Sequence, residues 1–293
     1  MDNCALTSVI IVNYNAGQLL TDCVRSVLAS SVPVEVFVVD NASTDQSMWQ
    51  VHQTVGYEPR LHLIENPKNV GFAAAANQVL AQTQGEFLVF LNPDCLVKPD
   101  TFERFQATLQ QHPQAGMAGC LVRNLDGTEQ AGCRRSVPSP WRSVVRVLHL
   151  DKLFPQHQKF QSFVLTQNPM PNEAVEIEGI SGACMVVRRE ALNEVGAMDE
   201  TYFLHCEDLD WFMRFHASRW RILFIPTIEI SHVKGACSNY QPVRVLWYKH
   251  RGMVKFYRKF FQQRYPLPLM WGVTLAVWLR FSVLAIKTLL LRH

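Results

Sequence analysis

Apolar runs and polar stops alternate along the first third of the chain. Ser8 to Val12 is a short run rich in β-branched residues that ends in Asn13, Tyr14 and Asn15, which predicts a buried strand opening into a loop. Gln18 to Leu28 carries Leu19, Leu20, Cys23, Val24, Val27 and Leu28 at helical spacing, and Val34 to Val39 is a second buried run closed by Asp40, Asn41 and Ser43. Strand, helix and strand in this order predict a parallel pair joined by a right-handed crossover. Leu61 to Ile64 predicts a third strand, an Ala-rich helix follows from about Gly71 to Gln82, and Phe87 to Leu91 predicts a fourth strand stopped by Asn92, Pro93 and Asp94. This rhythm predicts an α/β fold with a doubly wound, mostly parallel central sheet flanked by helices. Ligands of such sheets sit beyond the carboxyl ends of the strands.

The period then changes. Leu125, Asp126, Gly127 and Thr128 form a hairpin-turn signal, while 136–171 is rich in Pro, Gln and His and predicts loop with short helices. Structure resumes over Val175 to Val187, followed by a helix near Arg189 to Val195, a helix from about Asp208 to Ser218, and two strands around Ile222 to Phe224 and Ile228 to Ser231. No internal repeat is present. The stretch from Leu267 to Leu291 is almost wholly apolar, interrupted only by Arg280 and Lys287, which fall on one helical face. Three fates fit it: a helix lying in a membrane interface, a spanning helix, or a helix packed on the catalytic body or a second copy. Upstream, Lys249, Arg251, Lys255, Arg258, Lys259 and Arg264 form a basic, aromatic-rich stretch that suits anionic lipid or, equally, a solvated helix face.

Length and charge narrow the picture. A chain of 293 residues fits one α/β body with an appendage, and we expect a catalytic domain over 1–236 and a C-terminal helical, membrane-associating segment over 237–293. A net charge of +3 does not point to nucleic acid, so no nucleic-acid partner is expected. The eight cysteines include no C-x-x-C pair, which argues against a zinc site or a disulfide framework. Met1 to Thr7 lacks the basic start and apolar run of a signal peptide, so the first strand is expected to begin in the cytoplasm.

The chemistry gathers just past the strands. Asn13 to Asn15 can line a nucleotide crevice or simply make an Asx turn. Asp40 stands at a strand tip, where it can bond a base or ribose, and Ser43, Thr44 and Asp45 behind it are helix-cap candidates. Asp94 ends an apolar strand. A carboxylate there suits Mg²⁺ or Mn²⁺ bridging two phosphates, because those ions keep several waters and take few protein carboxylates. Glu207, Asp208 and Asp210 crowd three acids after the apolar Tyr202, Phe203 and Leu204. Helix-dipole complementarity explains one or two of them, and a general base for a hydroxyl must be a carboxylate or a His, so Asp208 is the candidate. His232 closes a strand before Lys234 and Gly235.

Taken in order, Val12-Asn13-Tyr14-Asn15, Val38-Val39-Asp40-Asn41-Ala42-Ser43-Thr44-Asp45, Asn69-Val70-Gly71-Phe72-Ala73, Asn92-Pro93-Asp94, Gly182-Ala183-Cys184, Glu207-Asp208-Leu209-Asp210 and His232-Val233-Lys234-Gly235 resemble the family 2 inverting glycosyltransferases, above all their bacterial rhamnosyltransferase-like branch. The resemblance spans roughly residues 8 to 236. It implies a GT-A fold and transfer of a sugar, rhamnose favoured, from a nucleotide-diphosphate sugar donor to a saccharide or lipid-linked saccharide acceptor. It further implies Asp208 as catalytic base, with Asp94 and His232 on a Mg²⁺ or Mn²⁺ ion. Asn13, Asn15, Asp40, Asn41, Asn69, Gly71, Asn92, Gly182, Glu207 and Arg214 are the expected substrate contacts. The chain departs from many GT-A enzymes in having the neutral Asn92 where they carry the first acid of the metal motif, and Gln78-Val79 where relatives often carry a Gly. The expected setting is the inner face of the cytoplasmic membrane, peripheral or C-terminally anchored. Two other readings use the same residues. A sugar-phosphate nucleotidyltransferase would need a Gly-rich basic loop after the first strand, where Gly17 is the nearest Gly; a non-catalytic nucleotide-sugar or glycan-binding scaffold would have no need of Asp94, Asp208 and His232.

Overall fold

The computed structural model describes residues 4–154, 157–160, 163–233 and 242–290. The first third follows the hydrophobic pattern closely. Strand β1 (Thr7–Asn13), helix α1 (Gln18–Leu28), β2 (Val34–Asp40), α2 (Ser47–Val55) and β3 (Leu61–Glu65) build a parallel unit. Buried Val and Ile side chains on both faces of β1 make such a strand central. The Ala-rich segment is helical to the expected end but broken. Helix α3 covers Phe72–Asn77 and a 3₁₀ turn follows over Leu80–Gln82, while the Asn77 amide bonds both the carbonyl and the N–H of Met198.

Next come β4 (Phe87–Leu91), the two-residue β5 (Cys95–Leu96), α4 (Thr101–Gln111), β6 (Ala115–Arg123) and β7 (Arg134–Arg135). Short helices α5 (Pro140–Val147) and α6 (Leu150–Leu153) lie in the Pro-rich stretch. They are followed by β8 (Val175–Glu176), β9 (Gly179–Ile180), β10 (Cys184–Arg188), α7 (Arg189–Val195), α8 (Glu207–Ala217) and β11 (Arg221–His232). The two strands expected at the end of this region are one, β11, whose register to β6 shifts between Ile225 and Glu229, where Pro226 lacks an N–H for the ladder.

Among the described residues the main sheet has nine strands in the order β3-β2-β1-β4-β10-β6-β11-β5, with β8 also on β11. Strands β3, β2, β1, β4, β6 and β11 run one way, and β10 is inserted antiparallel between β4 and β6. The sheet is thus mostly parallel but mixed. Helices α9 (Pro242–Phe261) and α10 (Leu267–Leu290) pack onto the body, burying Phe256, Tyr257, Met270 and Val273 in the same core cluster as the α8 residues Trp211 and Phe215. Lys234, Gly235 and the expected domain boundary at 236/237 lie outside the described residues.

Candidate active site

The carboxyl ends of β1, β2 and β4 lie side by side, and their polar stops form one rim. Asn13 stands in register with Asp40, and its amide donates to Asp40 Oδ1 at 2.7 Å; the Ser43 N–H donates to Asp40 Oδ2 at 3.0 Å. Asp40 is held in place by two donors while each oxygen keeps acceptor capacity.

Asn15 and Asn41 knit the loops of this rim together. Asn15, at φ 54°, accepts from the N–H groups of Thr44 and Asp45 through Oδ1, which ties the β1 loop to the β2 loop. Asn41 donates to Asn69 Oδ1 and to the Gly71 carbonyl, and accepts from the Val70 N–H and the Asn66 amide. Both side chains shape the rim. Gly71, at φ 91°, lets this loop touch the segment before α8: a Cβ there would stand 2.5 Å from the Phe203 carbonyl oxygen, which instead accepts the Phe72 N–H at 2.9 Å.

Segment 182–184 connects the two acids of interest. A Cβ built on Gly182 would lie 3.4 Å from Asp208 Oδ2, and the carbonyl of the next residue, Ala183, accepts the Asn92 N–H at 2.9 Å and the Cys95 thiol at 3.5 Å. Consecutive residues lie about 3.8 Å apart, so the Asn92–Asp94 turn and Asp208 flank one short stretch of chain.

Asp94 is buried, and Nε2 of His232 is 3.0 Å from its Oδ1, yet among the described residues no hydrogen bond reaches that oxygen. A chain of side chains explains the gap. Asp126 accepts the Thr128 hydroxyl proton at 2.6 Å; Thr128 Oγ1 accepts from the Asn124 amide at 3.0 Å; and Asn124 Oδ1 accepts from the Gln130 amide at 3.0 Å. Gln130 therefore turns its carbonyl oxygen to His232 Nδ1, 2.7 Å away, and Nδ1 donates to it. The ring is thereby fixed with Nε2 on the side of the Asp94 carboxylate. A buried carboxylate oxygen without a donor, beside an imidazole nitrogen, suits a cation, and Asn92 adds a long 3.4 Å contact from its amide to Nε2. Cys95 completes the cluster, but burial pushes its thiol well above the usual range, leaving a hard oxygen and an imidazole as the donor set.

Asp208 occupies the first turn of α8, after His205 and Cys206, which are both left-handed, at φ 65° and 71°. Its carboxylate pairs with Arg135 of β7, whose guanidinium also lies 5.7 Å above the Phe212 ring. Glu207 beside it is buried with an unpartnered Oε2, and burial, reinforced by the Asp208 charge, pushes its carboxyl up to about 8. Arg214 is set apart, its three nitrogens engaging Asp210 and the backbone carbonyls of Val195, Gly196 and Ala197.

Sequence reasoning missed Arg135 and Gln130. Arg135 lies just before the stretch 136–171, and the doubled Arg134-Arg135 is its only mark. Gln130 had a better signal, sitting just beyond the hairpin turn at Leu125 to Thr128, which is closed by an isolated bridge from Arg123 to Glu129.

Known proteins agree with this architecture. The model of Glycosyl transferase family 2 matches residues 8–196, more than half of the chain. N-acetylglucosaminyl-diphospho-decaprenol L-rhamnosyltransferase of Mycobacterium tuberculosis (strain ATCC 25618 / H37Rv) is 27% identical, over 96% of this chain and 93% of its own length. Among solved structures, the mannosyltransferase PcManGT from Pyrobaculum calidifontis in complex with GDP-Man and Mn²⁺ has a TM-score of 0.61 at 18% identity, over 98% of this chain and 75% of its own. GalNAc-T7 with UDP, GalNAc and Mn²⁺ has a TM-score of 0.62 at 16% identity, over 88% of this chain and 48% of its own. The fold is GT-A.

Proposed function

This chain belongs to glycosyl transferase family 2, and from that premise we propose that it is an inverting rhamnosyltransferase acting on a lipid-linked saccharide at the inner face of the cytoplasmic membrane, in bacterial cell-surface polysaccharide synthesis. The observation that carries the reaction is the placement of Asp208 and the Asp94–His232 pair on either side of residues 182–184. The end-to-end match to an L-rhamnosyltransferase, which runs past the catalytic strands into the C-terminal helices, supports the choice of sugar and acceptor.

In this reading the acceptor hydroxyl attacks the anomeric carbon opposite the leaving diphosphate. A bond forms from the acceptor oxygen to that carbon, the bond to the diphosphate oxygen breaks with its electron pair, and configuration inverts. Asp208 takes the hydroxyl proton, Arg135 fixes the orientation of its carboxylate, and the missing side chain at Gly182 leaves that carboxylate approachable. Asp40, steadied by Asn13, bonds the base or ribose of the donor, while Asn15, Asn41, Asn69 and Gly71 act by shaping the rim. A divalent cation, Mg²⁺ or Mn²⁺, held by Asp94 and His232 would neutralise charge developing on the diphosphate. Glu207, buried as a neutral acid, and Arg214, committed to the α7–α8 connection, serve the shape of the site.

Helix α10 is long and apolar enough to cross a membrane by length and composition. One face of it packs on the body: Met270, Val273 and Ala285 are buried, and Trp278 and Phe281 meet Trp247 of α9 at 4.9 and 5.8 Å. Its other face exposes Trp271, Leu275, Leu279, Val283, Ile286 and Leu290. Because one face of α10 is committed to α9 and the other is exposed, we read α10 as lying in the interface, with the C-terminal helices as the membrane-associating part.

The test is a panel of nucleotide sugars and lipid-linked acceptors, scored by released nucleotide with and without EDTA. Preference for a nucleotide-diphospho-rhamnose and loss of transfer in EDTA are expected; a preference for an unrelated hexose, or turnover indifferent to EDTA, would overturn the sugar or the metal respectively.

A further inference from the structure

The reaction above brings two diphosphates to one molecule, that of the donor and that of the lipid-linked acceptor, while Asp94 and His232 serve the donor alone. The second needs cations of its own. We propose that a cavity between the segment Thr201 to His205 and α9 binds the diphosphate of the acceptor, with Arg251 as its principal cation; this rests on the lipid-linked reading of the function.

The cavity measures about 260 Å³ and is lined by Tyr202, Phe203, His205, Tyr248, Arg251 and Lys255, among others. Sites that enclose a whole drug-sized ligand run to about 300–1,000 Å³, so this one suits a headgroup rather than an entire glycolipid. Its charge is not cancelled. Of the basic residues on this side of α9, Lys259 is spent on Asp199 and Asp210 at 2.9 and 2.6 Å. Lys255 shares Asp199 at 3.4 Å and sits 4.2 Å over the Tyr202 ring. Arg251 is exposed and makes no ion pair among the described residues. The walls beside these cations are aromatic, with Phe203 and Tyr248 stacked at 4.3 Å, a surface fit for the first apolar unit of an isoprenoid chain.

Position in the chain joins the cavity to both ends of the acceptor. Three residues past His205 is Asp208, the proposed base. Gly252 lets α9 come this close: a Cβ there would lie 3.0 Å from the His205 carbonyl oxygen and 3.1 Å from Cys206 Sγ. On the other side, Trp247, the neighbour of Tyr248, packs against Trp278 and Phe281 of α10, the helix with the exposed apolar stripe. A lipid lying along α10 can place its diphosphate at Arg251 and its sugar toward Asp208.

Farnesyl diphosphate, added to the full chain in EDTA so that no cation sits at Asp94, is the direct probe. Arg251→Ala should weaken its binding about tenfold or more, as loss of a charged hydrogen bond does, and Arg251→Lys less. With the lipid-linked substrate the same variant should raise the acceptor KM by about the same factor, with the donor KM and kcat little changed. Unchanged farnesyl diphosphate affinity in a folded Arg251→Ala protein would overturn the proposal. So would loss of binding to phosphatidylglycerol vesicles with farnesyl diphosphate binding intact, which would assign Arg251 to the membrane surface. A wild-type enzyme that binds farnesyl diphosphate through Arg251 yet transfers to no lipid-linked saccharide would instead sink the acceptor reading and leave the cavity as an isoprenoid-diphosphate site.

Discussion

Nε2 of His232 stands 3.0 Å from Oδ1 of Asp94, yet among the described residues no hydrogen bond reaches that buried oxygen, and the far side of the ring is held by Gln130 Oε1 at 2.7 Å from Nδ1. Left alone, the Asp94 oxygen is a buried acceptor without a donor. A chain of side chains that begins at Asp126 and ends at Gln130 fixes the ring there, as outer-shell partners do for histidines that bind metals, and in the proposed reading it prepares His232 for the cation.

Removing the last link should therefore show in the metal before it shows in the fold. Gln130→Leu, which deletes the acceptor for Nδ1–H, should lower Mn²⁺ affinity about 10–100-fold. Calorimetry would read the affinity, and ¹⁵N NMR of the ring would show the Nδ1–H tautomer losing its dominance. Equal Mn²⁺ affinity in variant and wild type would mean that the chain from Asp126 plays no part in metal binding.

Asp208→Asn keeps the shape of the side chain and removes the proton acceptor. Turnover should fall about 10²–10⁴-fold, the usual worth of a general base, while the donor dissociation constant stays within a small factor. Stopped-flow or radiolabel transfer against fluorescence binding separates the two, and retention of most of the turnover would remove Asp208 from the role.

Glu207 makes a prediction about stability. Its folded-state carboxyl ionises near 8 against an ordinary value of 4.5, so between those values the unfolded chain has already lost the proton that the folded chain retains. The contribution of this group therefore falls as pH rises from 4.5 toward 8, with a limiting slope of about 1.4 kcal/mol per pH unit. Glu207→Gln should remove this slope and stabilise the protein most at the alkaline end. Denaturant melts across that range test it; an identical pH profile in the variant would show that Glu207 ionises normally.

The exposed stripe of α10 predicts a partition. Glutamate at both Leu275 and Leu279, which are 61% and 58% exposed, should leave the fold intact and release the protein from liposomes in flotation assays. Persistence on the membrane would place the anchor elsewhere.

Much of this was readable from residue order. The strands β1, β2 and β4, the helices α1 and α7, and the acids at the strand tips follow from hydrophobic period and polar stops, which are local properties of the chain. Where the local pattern was weak the reading weakened with it. The mixed direction of the sheet depends on β10 inserting between β4 and β6, and the single β11 depends on β6 continuing to pair with it across a bulge.

What the sequence determined by itself was the alternation of elements and the kind of chemistry at their ends, since both depend on neighbours within a turn or a strand. Only the tertiary structure decided how each polar group is used. Asn15 and Asn41 went to loops they could not be seen to touch, Arg135 arrived beside Asp208 from 73 residues away, and α10 lay down on α9 instead of standing clear. A side chain's partner is chosen by close approach in three dimensions, and a hydrogen bond between remote segments leaves no period in the order of residues.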